Sequence, residues 1–179
     1  MNSFNQKILI VDDIEDNRFT LERRLSRSGY TAISQADCGK RALELVKQES
    51  FDLVLLDLMM PDISGLDVLK ILKADPKNRG IPVVMVTAAD EIETTAECIS
   101  NGAEDYITKP INATLLKARV SACLEKKRFR DSEEHYLSKV EADKKRTQTF
   151  LKQILPEKIA EELNSSGLVR PRKYEENAC

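Results

Sequence analysis

Four apolar runs in this chain lead into residues whose side chains can do chemistry. Lys7-Ile-Leu-Ile-Val11 meets an acidic pair, Asp12-Asp13, and Phe51-Asp-Leu-Val-Leu-Leu56 closes on Asp57, with Met59-Met-Pro61 just beyond. Ile81-Pro-Val-Val-Met-Val86 ends on Thr87, and a fourth run ends on Lys109-Pro110. If these runs are strands of one sheet, carboxylates, a hydroxyl and an ammonium meet at the same end. That set suits a divalent cation and a phosphoryl group. Asp12, Asp13 and Asp57 offer the hard oxygen ligands that Mg²⁺ or Mn²⁺ takes. Like charges crowded together are costly without a cation. Asp57 is the candidate nucleophile, which would become an acyl phosphate. Lys109 would pair with phosphoryl oxygens as a point charge, and the Thr87 hydroxyl would donate to them. Such transfer is mostly positioning and charge stabilisation. Each residue alone says little. An aspartate after a strand often caps the next helix, Lys-Pro is a common loop dipeptide, and Thr87 could be a simple strand-end hydroxyl. The ordered combination is what points to function.

The elements that must position these residues follow from periodicity. Strands are predicted over 7–12, 31–36, 51–57, 82–87 and 104–108, and helices over 15–28, 40–49, 66–74 and 91–100, with a fifth after Pro110. The first helix carries Phe19, Leu21 and Leu25 and stops at Gly29; the second should turn Ala42, Leu43, Leu45 and Val46 inward. Alternating strands and helices mean βαβ units and a parallel sheet, and continuous Val/Ile/Leu runs suit strands covered on both faces. Ligands in such sheets sit at the carboxyl ends of the strands, where all the polar residues above fall.

Composition narrows the function classes. The 179 residues can bury one good core with residues left over. A net charge of −2 provides no field for nucleic acid or an anionic membrane. No apolar stretch approaches the ~20 residues that span a bilayer, so no membrane insertion is expected. The start lacks a signal peptide's pattern, which points to the cytoplasm. Cys38, Cys98, Cys123 and Cys179 have neither zinc-site nor disulfide spacing and read as small, partly buried thiols. His135 sits among charges without a glycine-rich nucleotide loop elsewhere, and reads as a solvated helix residue.

After Pro110 the chain changes character. Neither glycine nor proline occurs from Ile111 to Leu155, and one helix over that stretch would be roughly 68 Å long at about 1.5 Å per residue. Leu115, Leu116, Val120 and Leu124 can pack on the sheet; beyond about residue 126 the segment is highly charged. Tyr136, Val140, Asp143, Thr147, Phe150 and Ile154 follow a 4, 3, 4, 3, 4 spacing, a heptad seam with a polar middle. An isolated helix of this kind is marginal. The seam therefore predicts a parallel two-stranded coiled coil and a homodimer, against the alternative of a single solvated helix. Pro156–Leu163 reads as a short amphipathic helix, with Ile159 and Leu163 inward. The segment from Leu168 to Glu176 has too few apolar residues to fold alone. The expected organisation is 1–125, a linker helix over 126–155 and a lead-in over 156–179.

Residues 6–125 resemble the receiver domain of two-component response regulators. The matching pieces are Ile-Leu-Ile-Val-Asp12-Asp13, Leu-Leu-Asp57-Leu-Met-Met-Pro61, Gly65, Val-Thr87-Ala88, Gly-Ala103 and Tyr106-Ile-Thr-Lys109-Pro110. The resemblance implies an α/β, flavodoxin-like fold, with a doubly wound five-stranded parallel sheet of order 2-1-3-4-5. It also implies Asp57 as phosphoacceptor and Asp12, Asp13, Asp57 and the Met59 backbone carbonyl around the metal. Lys109 becomes the phosphate partner, ahead of a cis proline bond. Thr87 and Tyr106 become a switch pair in which Tyr106 turns inward as Thr87 moves toward the phosphoryl group. Tyr106 equally fits a half-buried strand aromatic. The implied partner is a cognate sensor histidine kinase or a phosphotransfer protein.

The tail, Leu155-Pro-Glu-Lys-Ile-Ala-Glu-Glu-Leu163 with Gly167 and Arg172-Lys-Tyr-Glu175, resembles the lead-in to a class III adenylate/guanylate cyclase. The chain stops at Cys179, before that family's first metal-binding aspartate, so it reads as the N-terminal part of a receiver–coiled-coil–cyclase protein. A PP2C-like serine phosphatase behind a Leu-Pro linker is a rival output. The other alternative is a stand-alone receiver that transfers phosphoryl groups or docks a partner. A haloacid dehalogenase-type phosphatase fits poorly, because the position two beyond Asp57 is Met59 rather than a second aspartate.

Overall fold

The computed structural model describes residues 6–88 and 92–154. The expected helix at 156–163, the extended tail and Cys179 lie outside the described residues. Five strands, β1 Ile8–Val11, β2 Ile33–Ala36, β3 Leu53–Asp57, β4 Val83–Thr87 and β5 Asp105–Thr108, form one sheet in the order β2-β1-β3-β4-β5. Every pairing is parallel, with Ile8 beside Ile33 and Leu53, Asp57 beside Val86, and Thr87 beside Thr108. Five helices alternate with the strands: α1 Glu15–Arg27, α2 Gly39–Gln48, α3 Gly65–Ala74, α4 Ile92–Ser100 and α5 Ala113–Ile154. This is the flavodoxin-like fold.

The continuous apolar runs are explained by two cores. Successive strand residues face opposite sides of a sheet. Along β1, Leu9 and Val11 join one core, while Ile8 and Ile10 join the other. β3 divides in the same way into Val54 and Leu56 against Leu53 and Leu55. The first core is covered by α2 (Ala42, Val46) and α3 (Val68, Leu69, Leu72), and the second by α1 (Leu21, Leu25) and α5 (Leu116, Val120, Leu124). Leu115, expected to pack on the sheet, is instead 40% exposed, as is Phe19 of α1 at 61%. On α5 the buried set recurs at three and four residues through Leu116, and Leu115 stands one residue, about 100°, round the helix from it. Leu43 and Leu45 of α2 are only partly buried.

Caps set the helix starts near the site. Ser64 precedes α3 and accepts a bond from the Asp67 backbone N–H at 3.1 Å. Gly65 opens that helix because a Cβ there would lie 2.0 Å from the Asp57 carbonyl oxygen. The N-cap of α2, Cys38, makes no side-chain cap bond. Its place is taken by Asp62, which accepts from the Gly39 and Lys40 N–H groups at 3.1 and 2.9 Å.

The chain divides into two units, Met1–Arg130 and Asp131–Cys179. Within the first, α5 is tied to the start of β5 by Lys126 and Arg130, both ion-paired with Glu104. In the second, residues 131–150 of α5, His135 among them, are exposed. Cys98 and Cys123 are buried thiols and Cys38 is intermediate. Among the described residues no helix is long and apolar enough to cross a membrane.

Candidate functional site

The strand order brings the polar run-ends together. β1 delivers Asp12 and Asp13 beyond Val11, β3 ends on Asp57, β4 on Thr87, and Lys109 follows β5. Asp12, Asp13 and Asp57 each offer a carboxylate oxygen within 4.8 Å of the others. Asp12 and Asp57 are buried, and Asp13 is exposed. The Lys109 ammonium donates to Asp57 Oδ1 at 2.9 Å and to Asp12 Oδ2 at 3.0 Å. The Lys109–Pro110 bond is cis.

Charge at the site is unbalanced. Burial, followed by the neighbouring Asp12 and Asp13 charges, pushes Asp57 up from 3.8 to about 6, against the pull of Lys109. Burial lowers the Lys109 pKa, but the hydrogen bonds and charges of Asp57 and Asp12 outweigh it and leave Lys109 raised. One ammonium shared between buried carboxylates, with a third carboxylate beside them, is short of positive charge. A divalent cation with oxygen ligands fits that donor set.

The Asp12 carboxylate is filled by donors from the protein. Oδ1 accepts from the Ile14 N–H at 2.9 Å and from Asn17 Nδ2 at 2.9 Å. Oδ2 accepts from Asn17 at 3.1 Å and from Lys109. The Arg18 guanidinium donates to the Asp12 carbonyl at 2.7 Å. Asp12 thus serves the start of α1 and the acidic site at once. The Asp13 carboxylate enters none of these bonds, and Lys109 engages Asp57 through Oδ1 alone. Met59, 66% exposed, follows Asp57 on the same loop.

Thr87 is buried and donates to the Ala88 carbonyl at 3.2 Å. Tyr106, on β5, is 38% exposed. Its ring lies 5.4 Å from the Arg119 guanidinium, which is ion-paired with Asp105. A cavity of about 170 Å³ between Thr87, Thr95, Ala96, Ile99 and Tyr106 separates the two expected switch residues. Asn17 and Arg119 were missed from the sequence. Asn17 carried a faint signal as the third residue of a helix that begins just after the acidic pair. Arg119 carried none, being fourteen residues from Asp105.

The seam residues all fall on α5, and their spacing keeps them on one helix face. Tyr136, Val140 and Phe150 are 67%, 46% and 60% exposed. Asp143 and Thr147 are exposed as well, and the Thr147 hydroxyl donates to the Asp143 carbonyl at 3.0 Å. Ile154 is the last residue of the helix.

Residues 8–121 match the family model of the response regulator receiver domain. A Vibrio cholerae protein named a probable cyclic di-GMP phosphodiesterase is 41% identical over 124 residues, covering 69% of this chain and 28% of that one. Chemotaxis protein CheY-3 of Vibrio cholerae is 37% identical over 122 residues, covering 68% of this chain and 94% of that one. The solved receiver domain of NtrX from Brucella abortus superposes with a TM-score of 0.62 at 32% identity, over 66% of this chain and 98% of that one.

Proposed function

The chain belongs to the response regulator receiver family, and from that premise we propose that it is a phosphorylation switch with Asp57 as its phosphoacceptor. The observation that carries this is the Lys109 ammonium shared between Asp57 and Asp12, with Asp13 beside them. A carboxylate oxygen of Asp57 attacks phosphorus, and the bond from phosphorus to the donor's leaving group breaks. Lys109 holds the phosphoryl oxygens, and Thr87 donates to them. Asp12, Asp13, Asp57 and the Met59 carbonyl would hold Mg²⁺ or Mn²⁺, which when bound offsets the charge of the carboxylates and the phosphoryl group. Thr87 and Tyr106 form the switch pair, with the cavity between them as the space into which Tyr106 turns. The phosphoryl donor is a sensor histidine kinase or a phosphotransfer protein, and the protein works in the cytoplasm.

The receiver, 1–125, transmits its state through the linker helix, 126–155, which pairs with a second copy along the Tyr136–Ile154 seam. The exposed apolar positions of α5 support that pairing. The lead-in at 156–179 carries the signal to a class III nucleotide cyclase. A second reading of the output comes from the relative named a probable cyclic di-GMP phosphodiesterase, of which this chain spans about a quarter: the output would then be a cyclic di-GMP phosphodiesterase. Intact-mass measurement after incubation with acetyl phosphate tests the chemistry. One phosphoryl group should be gained with Mg²⁺, none in EDTA, and none in Asp57→Asn. Equal labelling of Asp57→Asn would overturn the assignment.

A further inference from the structure

Asn17 is not among the cation ligands or phosphate partners, yet it makes two of the four hydrogen bonds to the Asp12 carboxylate. We propose that Asn17 is a positioning residue for the cation and phosphoryl site. Its amide fixes Asp12, and through Asp12 it fixes the division of Lys109 between two carboxylates. The inference rests on the phosphoacceptor reading above and deepens it.

The geometry follows from the start of α1. Ile14 is the N-cap and has no side chain with which to cap the helix. Asn17 is the third helical residue, a position whose side chain ordinarily reaches back to the N-cap backbone. Here it reaches two residues further, spanning both oxygens of Asp12 at 2.9 and 3.1 Å. Arg18, next along the same turn, holds the Asp12 carbonyl. The first turn of α1 therefore grips Asp12 by backbone and by side chain.

The consequence lies in Lys109. Without the amide, Ile14 N–H alone would hold Oδ1, and the carboxylate could rotate Oδ2 away from the ammonium. Lys109 would then move wholly onto Asp57 and bind more tightly the carboxylate that must reach phosphorus. With Asn17 in place, Lys109 sits at 3.0 Å from Asp12 and 2.9 Å from Asp57, and Asp13 and Asp57 remain open to a cation. Groups that orient a ligand from outside the coordination sphere typically change metal affinity 10–100-fold when removed.

The test titrates Mg²⁺ by calorimetry into the metal-free full chain as wild type, Asn17→Ala and Asn17→Gln. The Lys109 ammonium ¹⁵N resonance and the melting temperature are recorded on the same samples. Asn17→Ala should raise the Kd for Mg²⁺ about tenfold, at the low end of that range, and should move the Lys109 resonance. Asn17→Gln keeps an amide donor and should recover most of both. A wild-type Kd and an unmoved Lys109 resonance in Asn17→Ala would overturn the proposal. So would equal losses in both variants that track the melting temperature. A wild-type chain that binds no Mg²⁺ would overturn the phosphoacceptor reading itself, along with the role of Asn17.

Discussion

At Asp57, burial and repulsion work against a charge that the chemistry requires, and Lys109 offsets only part of that cost. The metal-free site is therefore a local weakness in an otherwise well-packed sheet. Replacing Asp57 by Asn removes one buried charge from that repulsion. The metal-free Asp57→Asn chain should unfold at a higher urea concentration than wild type. Wild type should gain about 1.4 kcal/mol at a Mg²⁺ concentration ten times its Kd, the expected linkage for a single site, while Asp57→Asn gains clearly less. Equal Mg²⁺ stabilisation of both chains would mean that the cation binds elsewhere. Lys109 belongs to the same balance. Lys109→Ala leaves buried Asp57 and Asp12 with no ammonium between them, so its metal-free form should be the least stable of the three.

At the scale of elements, the loop after β3 does two jobs, placing Asp57 at its start and capping α2 with Asp62. Burial opposes ionisation of Asp62, but the backbone N–H groups of Lys40, Ile63, Gly39 and Asp62 itself together outweigh it and hold the group down from 3.8 to about 2. A carboxyl depressed on folding contributes stability above its unfolded pKa and loses it as pH falls through the folded value. Asp62→Ala should therefore cost about 1 kcal/mol near neutrality, the usual worth of a cap, and its deficit should shrink as pH falls from about 4 to about 2. A deficit that is constant with pH in urea titrations would rule this out. At the β5 edge the Arg119 guanidinium lies over the Tyr106 ring, 5.4 Å from its centre, and on the proposed switch it would hold Tyr106 outward. Arg119→Ala should shift the Tyr106 population inward about two- to fivefold, the equivalent of an exposed cation–π contact. Fluorotyrosine NMR would follow this, with Tyr106→Phe to assign the signal; an unshifted resonance would deny Arg119 that part. The strands were legible as apolar runs, and their order followed from the family resemblance; Asp12, Asp57, Thr87 and Lys109 stood out because they stand where those runs stop. Asn17 and Arg119 were not, because each acts by reaching back across a turn or a strand edge, which no local pattern records. Leu115 was misread because adjacent leucines on a helix look alike in sequence and differ only by about 100° of rotation.

At the scale of the molecule, the proposed function has the receiver hand its state to α5. Phe150, Val140 and Tyr136 give the seam apolar ends, while Asp143 and Thr147 keep its middle polar, which suits a pairing that can be shifted. The Thr147 hydroxyl already bonds within its own helix, so it tolerates a partner better than Asp143 does. Replacing both by Leu should lock a dimer, seen as a doubled mass in light scattering, and should blunt any change caused by beryllofluoride, an acyl-phosphate mimic. A double variant that stays monomeric would count against the seam. All of this depends on one residue accepting the phosphoryl group. The most direct measurement treats the Mg²⁺ and acetyl phosphate-reacted chain with borohydride, which converts an aspartyl phosphate to homoserine, and then maps the peptides by mass. The account predicts homoserine at position 57 alone; homoserine at 12 or 13, or at none of these positions, would contradict it.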